Sequence, residues 1–199
     1  MTTVYASFDV ESDGPNVVTN SMIAFGIVFT DNEGNEISTF KRNIKALDTR
    51  QQDPKTMYEF WNANEENKKM YDEIISNSVS AEDAIKDLAK ELHKFKENKI
   101  KWIARPASYD WPWIKSYYEI FKPKFVTMYD SPPDIGFKAE CLSSMLWMYV
   151  QINNLTKEQS NTKWNEFTEG LKLTHDPLDD CRVQSKVFHN LCKELKIKL

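Results

Sequence analysis

The chain has 199 residues, of which 41% are hydrophobic and 13% aromatic, and this is enough apolar material for one domain with its own core. No linker, repeat or low-complexity stretch points to a second domain, so we predict a single domain over residues 1–199. The formal net charge of −4 argues against a protein that coats nucleic acid over a broad surface.

Predicted strands and helices alternate along most of the chain. Apolar runs with strand character predict strands near residues 4–11, 21–30, 36–44 and 99–104, and a further strand near 125–129. Helical spacing predicts helices near residues 54–76, 81–97, 110–121, 138–150 and 177–196. Short turns with Gly or Asn join the first three strands and favour an antiparallel meander. The helical crossovers that follow predict an α/β fold, with a mixed sheet and helices on both faces.

Two acidic residues stand at the end of the first predicted strand. Because side chains alternate along a strand, Asp9 and Glu11 point the same way. Two such carboxylates repel each other, and a hard divalent cation is the usual means of neutralising them. A solvated strand end with two surface acids is the alternative. The turn at residues 12–15 would bring backbone close to whatever a metal holds.

A third acid, Asp110, follows the predicted strand at residues 99–104. A helix is predicted there, with Pro112 early and apolar residues at helical spacing afterwards. Asp110 is therefore either a metal ligand or the N-cap of that helix. Arg105, just upstream, would hold a phosphate through two hydrogen bonds or form an ordinary surface charge.

Residues 151–170 are polar and rich in Asn, Thr and Lys, and they are predicted to be the most mobile segment. Since they lie just before the last acidic pattern, they would either close over a substrate or be simply disordered.

The last acidic pattern runs from His175 to Asp180. A helix starting at Pro177 would place Asp180 in its first turns, facing the strand that carries Asp9 and Glu11. His175, just before that helix, would reach the same cleft. There it would take a proton from an attacking water near neutral pH, unless it is structural or solvated.

Other roles are predicted for three residues in or beside this pattern, Asp176, Asp179 and Cys181. Asp176 is expected to cap the helix, and Asp179 should point about 100° away from Asp180. The three cysteines of the chain are an odd count at wide spacing, which gives neither a disulfide framework nor a metal site. Cys181 is predicted to be buried.

Together the three acidic patterns resemble the motifs of the DEDDh 3′-5′ exonucleases. This superfamily has a ribonuclease H-like fold and includes polymerase proofreading exonucleases, ribonuclease T and oligoribonuclease. Its motifs are an Asp-x-Glu strand, a later Asp that opens a helix, and His-x4-Asp near the C-terminus. The matching residues, in order, are Asp9, Glu11, Asp110, His175 and Asp180. The resemblance spans nearly the whole chain.

The resemblance implies hydrolysis with two Mg²⁺ or Mn²⁺ ions, with Asp9 bridging them. Glu11 and Asp180 would complete one site, and Asp110 would support the other, mostly through water. His175 would be the general base. The 3′ end of single-stranded RNA or DNA would be shortened, with release of nucleoside 5′-monophosphates. The all-oxygen ligand set independently favours hard cations.

A narrower likeness is to the phage exodeoxyribonuclease A and small bacterial exoribonuclease branch. Residues 56–61 resemble its Thr-x-x-aromatic-Trp segment, residues 105–112 its second motif, and residues 175–181 its third. Many relatives carry an Asn shortly before the second-motif Asp, where this chain has Arg105 and Pro106, and this departure leaves the subfamily and substrate open. Substrate contacts are predicted at Ser12, Gly14, Trp61, Arg105 and Ser108.

Aromatic and basic side chains offer further candidates for substrate contact. Trp61, Trp111 and Trp113 are candidates for base stacking, although core packing is predicted for at least two of them. The densest basic stretch either borders the substrate or is a solvated face, and it comprises Lys94, Lys96, Lys99, Lys101 and Arg105, with Lys115, Lys122 and Lys124 following.

Two other functions stay open on the sequence alone. A catalytically silent nucleic-acid-binding module would have no need of all five motif residues. Hydrolysis of short oligonucleotides, dinucleotides or cyclic nucleotides would use the same groups and be separated by product analysis. Choice of RNA or DNA depends on a protein group that meets the 2′-hydroxyl, which the sequence does not place.

The cellular location is predicted from features that the sequence lacks, and the oligomeric state is predicted from relatives. Acids arrive by residue 9 and no apolar run is long enough to cross a membrane, which argues against a signal peptide and a membrane span. We therefore predict a cytoplasmic protein with no membrane partner. A homodimer is considered because several relatives form one.

Overall fold

The fold is built on a five-stranded sheet, seen in a computed structural model that describes residues 2–122 and 135–199. The strands are β1 (Thr3–Ser12), β2 (Met22–Thr30), β3 (Glu36–Asn43), β4 (Lys99–Ala104) and β5 (Glu140–Cys141), in the spatial order β3-β2-β1-β4-β5. The first three strands pair antiparallel, whereas β4 pairs parallel with both β1 and β5. The predicted mixed sheet with an antiparallel first half is confirmed.

In residues 2–122 and 135–199, seven α-helices surround this sheet. They are α1 (Pro54–Thr56), α2 (Glu65–Ser76), α3 (Ala81–His93), α4 (Ala107–Phe121), α5 (Leu142–Ile152), α6 (Lys157–Thr168) and α7 (Pro177–Glu194). A π-helical segment, Met57–Trp61, continues directly from α1. Within the described ranges, no helix combines the length and apolar character needed to cross a membrane.

The prediction of one continuous helix over residues 54–76 is wrong. The chain leaves the π-helical segment after Trp61 and starts α2 only at Glu65. Asn64 causes the new start, because its side-chain oxygen accepts a hydrogen bond from the backbone N–H of Asn67 at 2.9 Å. Helix propensity continues through this stretch, but a short polar residue that satisfies a free backbone donor favours a fresh N-terminus.

Other predicted boundaries differ by a few residues. The helix predicted over 81–97 ends at His93, and the helix predicted over 138–150 starts only at Leu142. Glu140 and Cys141 are taken by β5, where they pair with β4. The strand predicted near 125–129 lies outside the described residues.

For residues 151–170, the alternative of simple disorder is wrong. Most of this segment forms α6, whose N-terminus is closed by a capping box in which Thr156 and Gln159 bind each other's backbone N–H groups. Phe167 is buried, and its carbonyl accepts a hydrogen bond from Asn190 of α7 at 2.9 Å. Phe167, together with the partly buried Leu155 and Trp164, and good capping thus fold a segment whose composition is polar.

Two apolar layers lie on opposite faces of the sheet. Side chains at even positions of β1, such as Val4 and Phe8, pack with α3 and α4. Tyr5, at an odd position, packs with α5, α6 and α7. Since strand side chains alternate, Asp9 and Glu11 share the face that α7 covers. This confirms the prediction of helices on both faces, and it places both acids under the last helix.

Gly26 allows α7 to approach the sheet closely. It pairs with Asp9 across β1 and β2, and a Cβ at this position would lie 2.7 Å from the carbonyl carbon of Pro177. Any side chain would therefore push the start of α7 away from the strands. The close approach brings the first turn of α7 beside the acids of β1.

Candidate active site

Four carboxylates from three elements face one region. Asp9 and Glu11 come from β1, Asp110 from the first turn of α4, and Asp180 from the first turn of α7. Glu11, Asp110 and Asp180 are all buried, although acids are rarely buried without a counter-charge. The structure therefore brings together all four acids that the sequence patterns predicted.

The electrostatics of this cluster disfavour the charged forms. Burial raises the pKa of Asp9 well above its usual range, and the charges of Asp110 and Glu11 raise it further. Burial likewise raises the pKa of Glu11 well above its usual range, with Asp180 as the next cause. Burial raises the pKa of Asp110 to about 8 and also raises the pKa of Asp180. Lys41 lowers the pKa of Glu11 and His175 that of Asp180, but these effects offset only part of the rise.

Asp110 is not a helix cap. The N-cap position of α4 is occupied by Pro106, and Asp110 lies inside the first turn. Its Oδ2 atom is buried and has no hydrogen-bond partner among the described residues. Because an unpartnered buried carboxylate oxygen is costly, this atom fits a site that is completed by a cation.

The donor set fits hard divalent cations. In the described ranges, no three Asp, Glu, His or Cys side chains are arranged to hold a metal ion by themselves. Mg²⁺ is usually bound by only one or two carboxylates, with waters and substrate phosphates as the other ligands. The loosely grouped acids of β1, α4 and α7 match that mode of binding better than they match a closed protein cage.

Gln184 is a site residue that the motif analysis missed. It is almost fully buried on α7, and its Nε2 donates a hydrogen bond to Oδ1 of Asp9 at 2.9 Å. It follows Asp180 by four positions, so both side chains leave the same face of the helix. That spacing is the sequence signal that would have identified it.

His175 lies at the rim of the cluster. It is exposed, has a left-handed backbone (φ +63°) and directly precedes the N-cap of α7. Its ring meets the ring of Phe60 edge-to-face, with centroids 4.9 Å apart. Its charge, when protonated, lowers the pKa of Asp180 and so offsets part of the effect of burial. His175 therefore lies within electrostatic reach of the acids.

The two remaining acids of the last pattern have the roles predicted for them. Asp176 caps α7, accepting hydrogen bonds from the backbone N–H groups of Leu178 and Asp179, and it also pairs with Lys41. Asp179 turns away and forms an ion pair with Arg182 at 3.1 Å. Cys181 is buried as expected, next to the carbonyl of Gly26.

Trp61 cannot stack on a base, which corrects the prediction of a direct substrate contact. Its side chain is 0% exposed, and its indole N–H donates to the carbonyl of Ser12 at 2.9 Å. Trp113 is also buried, and Trp111 packs on Phe8 and Trp102. Core packing of at least two of these tryptophans is confirmed.

Ser12 and Gly14 hold the turn after β1 in shape. The hydroxyl of Ser12 donates to the carbonyl of Gly14 at 2.7 Å and shares a second hydrogen bond with the phenol of Tyr109. A Cβ on Gly14 would lie 2.4 Å from the Asn20 side chain and would displace it from its hydrogen bonds to Asn16 and Gln51. The turn thus links the end of β1 to α4.

Arg105 and Ser108 flank the start of α4. The guanidinium of Arg105 stacks over the ring of Trp164, 4.0 Å from its centroid, and the charge of Asp180 acts on it. Ser108 is exposed, whereas Arg105 is half-buried.

This sheet order, with carboxylates on the first strand and on the helices beside it, defines an α/β domain of the ribonuclease H-like type. The family model described as the 3′-5′ exoribonuclease Rv2179c-like domain matches residues 5–192. The chain belongs to this family. No curated protein sequence matches it.

Solved structures with a similar fold are exonucleases or carry bound metal. Exonuclease I from Methylocaldum szegediense is 14% identical with a TM-score of 0.67, and the match covers 96% of this chain and 40% of that one. The zinc-bound E. coli exonuclease I complex with single-stranded DNA is 14% identical, with a TM-score of 0.65 and coverage of 98% and 41%. S. pombe Pop2p, bound to Mg²⁺ and Mn²⁺, is 13% identical, with a TM-score of 0.60 and coverage of 98% and 85%. The chain spans about two fifths of the exonuclease I chains.

Proposed function

We propose that this protein shortens single-stranded RNA from its 3′ end and releases nucleoside 5′-monophosphates, using two bound Mg²⁺ or Mn²⁺ ions. The observation that carries the proposal is the group of four acids around Asp9, whose burial and mutual repulsion call for bound cations. Family membership supports the direction of cleavage, and the description of the family as exoribonucleases supports RNA.

Asp9, Glu11, Asp110 and Asp180 would hold the ions. Asp9 is central to this assignment, since each of the other three carboxylates contributes to the rise in its pKa. Bound divalent ions would supply charge stabilisation for the scissile phosphate and its leaving oxygen. Gln184 would keep Asp9 in a fixed orientation through its hydrogen bond, which is the usual role of a side chain behind a metal ligand.

His175 would act as the general base. Histidine is the most common general base in enzymes, and the exposed ring of His175 stands at the rim, where water reaches it. It would take the proton of the attacking water, while Phe60 limits the orientations of the ring. Arg105 and Ser108 would bind the phosphate, because a guanidinium matches a phosphate with two hydrogen bonds.

The test is degradation of 5′-labelled single-stranded RNA and DNA of the same sequence, with Mg²⁺ or Mn²⁺. We expect a ladder that shortens from the 3′ end, stronger on RNA, and absent for Asp9→Ala. Asp179→Ala is the matched control, because it removes a nearby acid that faces Arg182 instead of the cluster. Equal rates for wild type and Asp9→Ala would contradict the site assignment.

Product analysis in the same assay separates the alternatives. Cleavage confined to dinucleotides would indicate a hydrolase of short oligonucleotides, and binding without cleavage would indicate a silent binding module. A cytoplasmic location and a homodimer also belong to the proposal, and cell fractionation and light scattering test them.

A further inference from the structure

A groove separate from the four acids lies between α5 and α6. Its volume is 360 Å³, which is within the range of ligand sites in proteins. Tyr149 and Phe167 form its apolar floor, and the ring of Trp164 lies beside them. Trp147 lines the groove although its side chain is 64% exposed. An exposed indole at a groove of this size is a ready surface for stacking a flat ring.

Arg105 connects the groove to the acids. It lines the groove and stacks on Trp164, and it also lies within the field of Asp180. Stacking holds the guanidinium plane in place while its N–H edge stays available for an oxyanion. Among the described residues, no carboxylate lies within ion-pairing distance of Arg105. A phosphodiester that leaves the catalytic cluster would thus meet Arg105 first and the groove next.

The other cationic side chain of the groove, Lys163, is already paired with carboxylates. Lys163 forms an ion pair with Glu166 at 2.8 Å and lies 3.6 Å from Glu194. The polar side chains of Ser160 and Asn161 also line the groove and have no hydrogen-bond partner in the part of the chain that is described. The groove therefore offers one free positive charge, aromatic surface and hydrogen-bonding groups, which together match a single nucleotide better than a run of phosphates.

We propose that this groove binds a nucleotide of the single-stranded substrate other than the one being released, with its base on Trp147 and its phosphate on Arg105. This inference rests on the proposed function, since it assumes a nucleic-acid chain in the catalytic cluster. The protein would then contact at least one upstream nucleotide, and its affinity for the substrate would rise with substrate length.

The test measures binding in the Asp9→Ala background, where no cleavage occurs. Fluorescence anisotropy gives the Kd of a fluorescein-labelled dinucleotide and of a labelled 12-nucleotide RNA, with DNA of the same sequence alongside. The gain in affinity is the Kd of the dinucleotide divided by the Kd of the 12-mer. We expect Trp147→Ala to reduce this ratio by about 5- to 100-fold, the usual effect of one lost base stack. Trp147→Phe should keep most of the gain, because it retains an aromatic face.

Ile152→Ala is the matched control, since Ile152 is on the same helix, is 67% exposed and does not line the groove. An unchanged length dependence in Trp147→Ala would overturn the inference even if wild type degrades RNA. If Trp147→Ala loses the length dependence but the protein with Asp9 intact cleaves neither RNA nor DNA, the groove is upheld and the proposed function is refuted. A change in mass by light scattering, with affinity unaltered, would show that Trp147 faces a second copy of the chain and would overturn the inference.

Discussion

Asp9 is the residue on which the site is centred, and the side chain that orients it, Gln184, is uncharged. An amide donor restrains a carboxylate without competing with a cation for the same oxygen. A lysine at the place of Gln184 would neutralise Asp9 and so remove the reason for binding a metal. The choice of glutamine therefore suits an acid that must remain available to cations.

Gln184→Leu should weaken metal binding by about 10- to 100-fold, the usual cost of removing a group that orients a metal ligand. The change removes the 2.9 Å hydrogen bond to Asp9 and keeps an apolar side chain of similar size in the buried position. Titration calorimetry with Mn²⁺ measures the affinity. Gln151→Leu, on the exposed side of α5, is the control, and equal affinity in both variants would refute the positioning role.

At the scale of elements, the π-helical segment joins the two ends of the site. Trp61 donates to the carbonyl of Ser12 at the end of β1, and Phe60 packs on His175 just before α7. Adjacent residues of one short segment thus contact both the strand that carries the first acids and the loop that carries the proposed base. π-Helical turns are often found at functional sites.

Phe60→Ala should lower kcat by about 10-fold and leave Mn²⁺ affinity unchanged. The proposed general base contributes about 10² to 10⁴ to the rate, and a ring free to rotate would lose part of that contribution. The readout is kcat as a function of pH together with Mn²⁺ titration. Tyr58→Ala serves as control because Tyr58 belongs to the same segment but is 79% exposed. Identical kcat values for both variants would count against the role of Phe60.

Sequence patterns predicted most of the elements whose cause was local. Strand alternation placed Asp9 and Glu11 on one face, and a Pro after an Asp marked the start of α7. The break at Asn64 has a local cause, a side-chain cap, but helix propensity alone does not reveal it. The pairing of Glu140 with β4 and the burial of Trp61 depend on contacts distant in sequence. Periodicity does not carry such information.

For the whole molecule, the four acids make stability depend on pH and on metal together. The folded-state pKa of Asp110 is about 8, well above its ordinary value of 3.8. Its contribution to stability is therefore fully present below pH 3.8 and is lost as pH rises through about 8. Asp9 and Glu11, whose pKa values are raised in the same direction by burial, add to this loss.

Without metal, the melting temperature should fall as pH rises from about 5 to about 8.5. Asp110→Asn should flatten this decline, since the amide does not ionise. Saturating Mg²⁺ should raise the melting temperature more at pH 8 than at pH 5, because ligand binding stabilises the folded state and the ion binds the charged carboxylates. Differential scanning fluorimetry in EDTA and in Mg²⁺ measures both effects. A melting temperature that rises with pH in EDTA would contradict the raised pKa values.

The hydrogen bond between Asp9 and Gln184 joins residues 175 positions apart. Strand β1 and helix α7 are therefore made at widely separated times during translation. A nascent chain that has not yet added α7 lacks Asp180 and Gln184, so the proposed metal site cannot form before that helix is made. A truncation before Pro177 would thus remove one proposed metal ligand and the side chain that orients another.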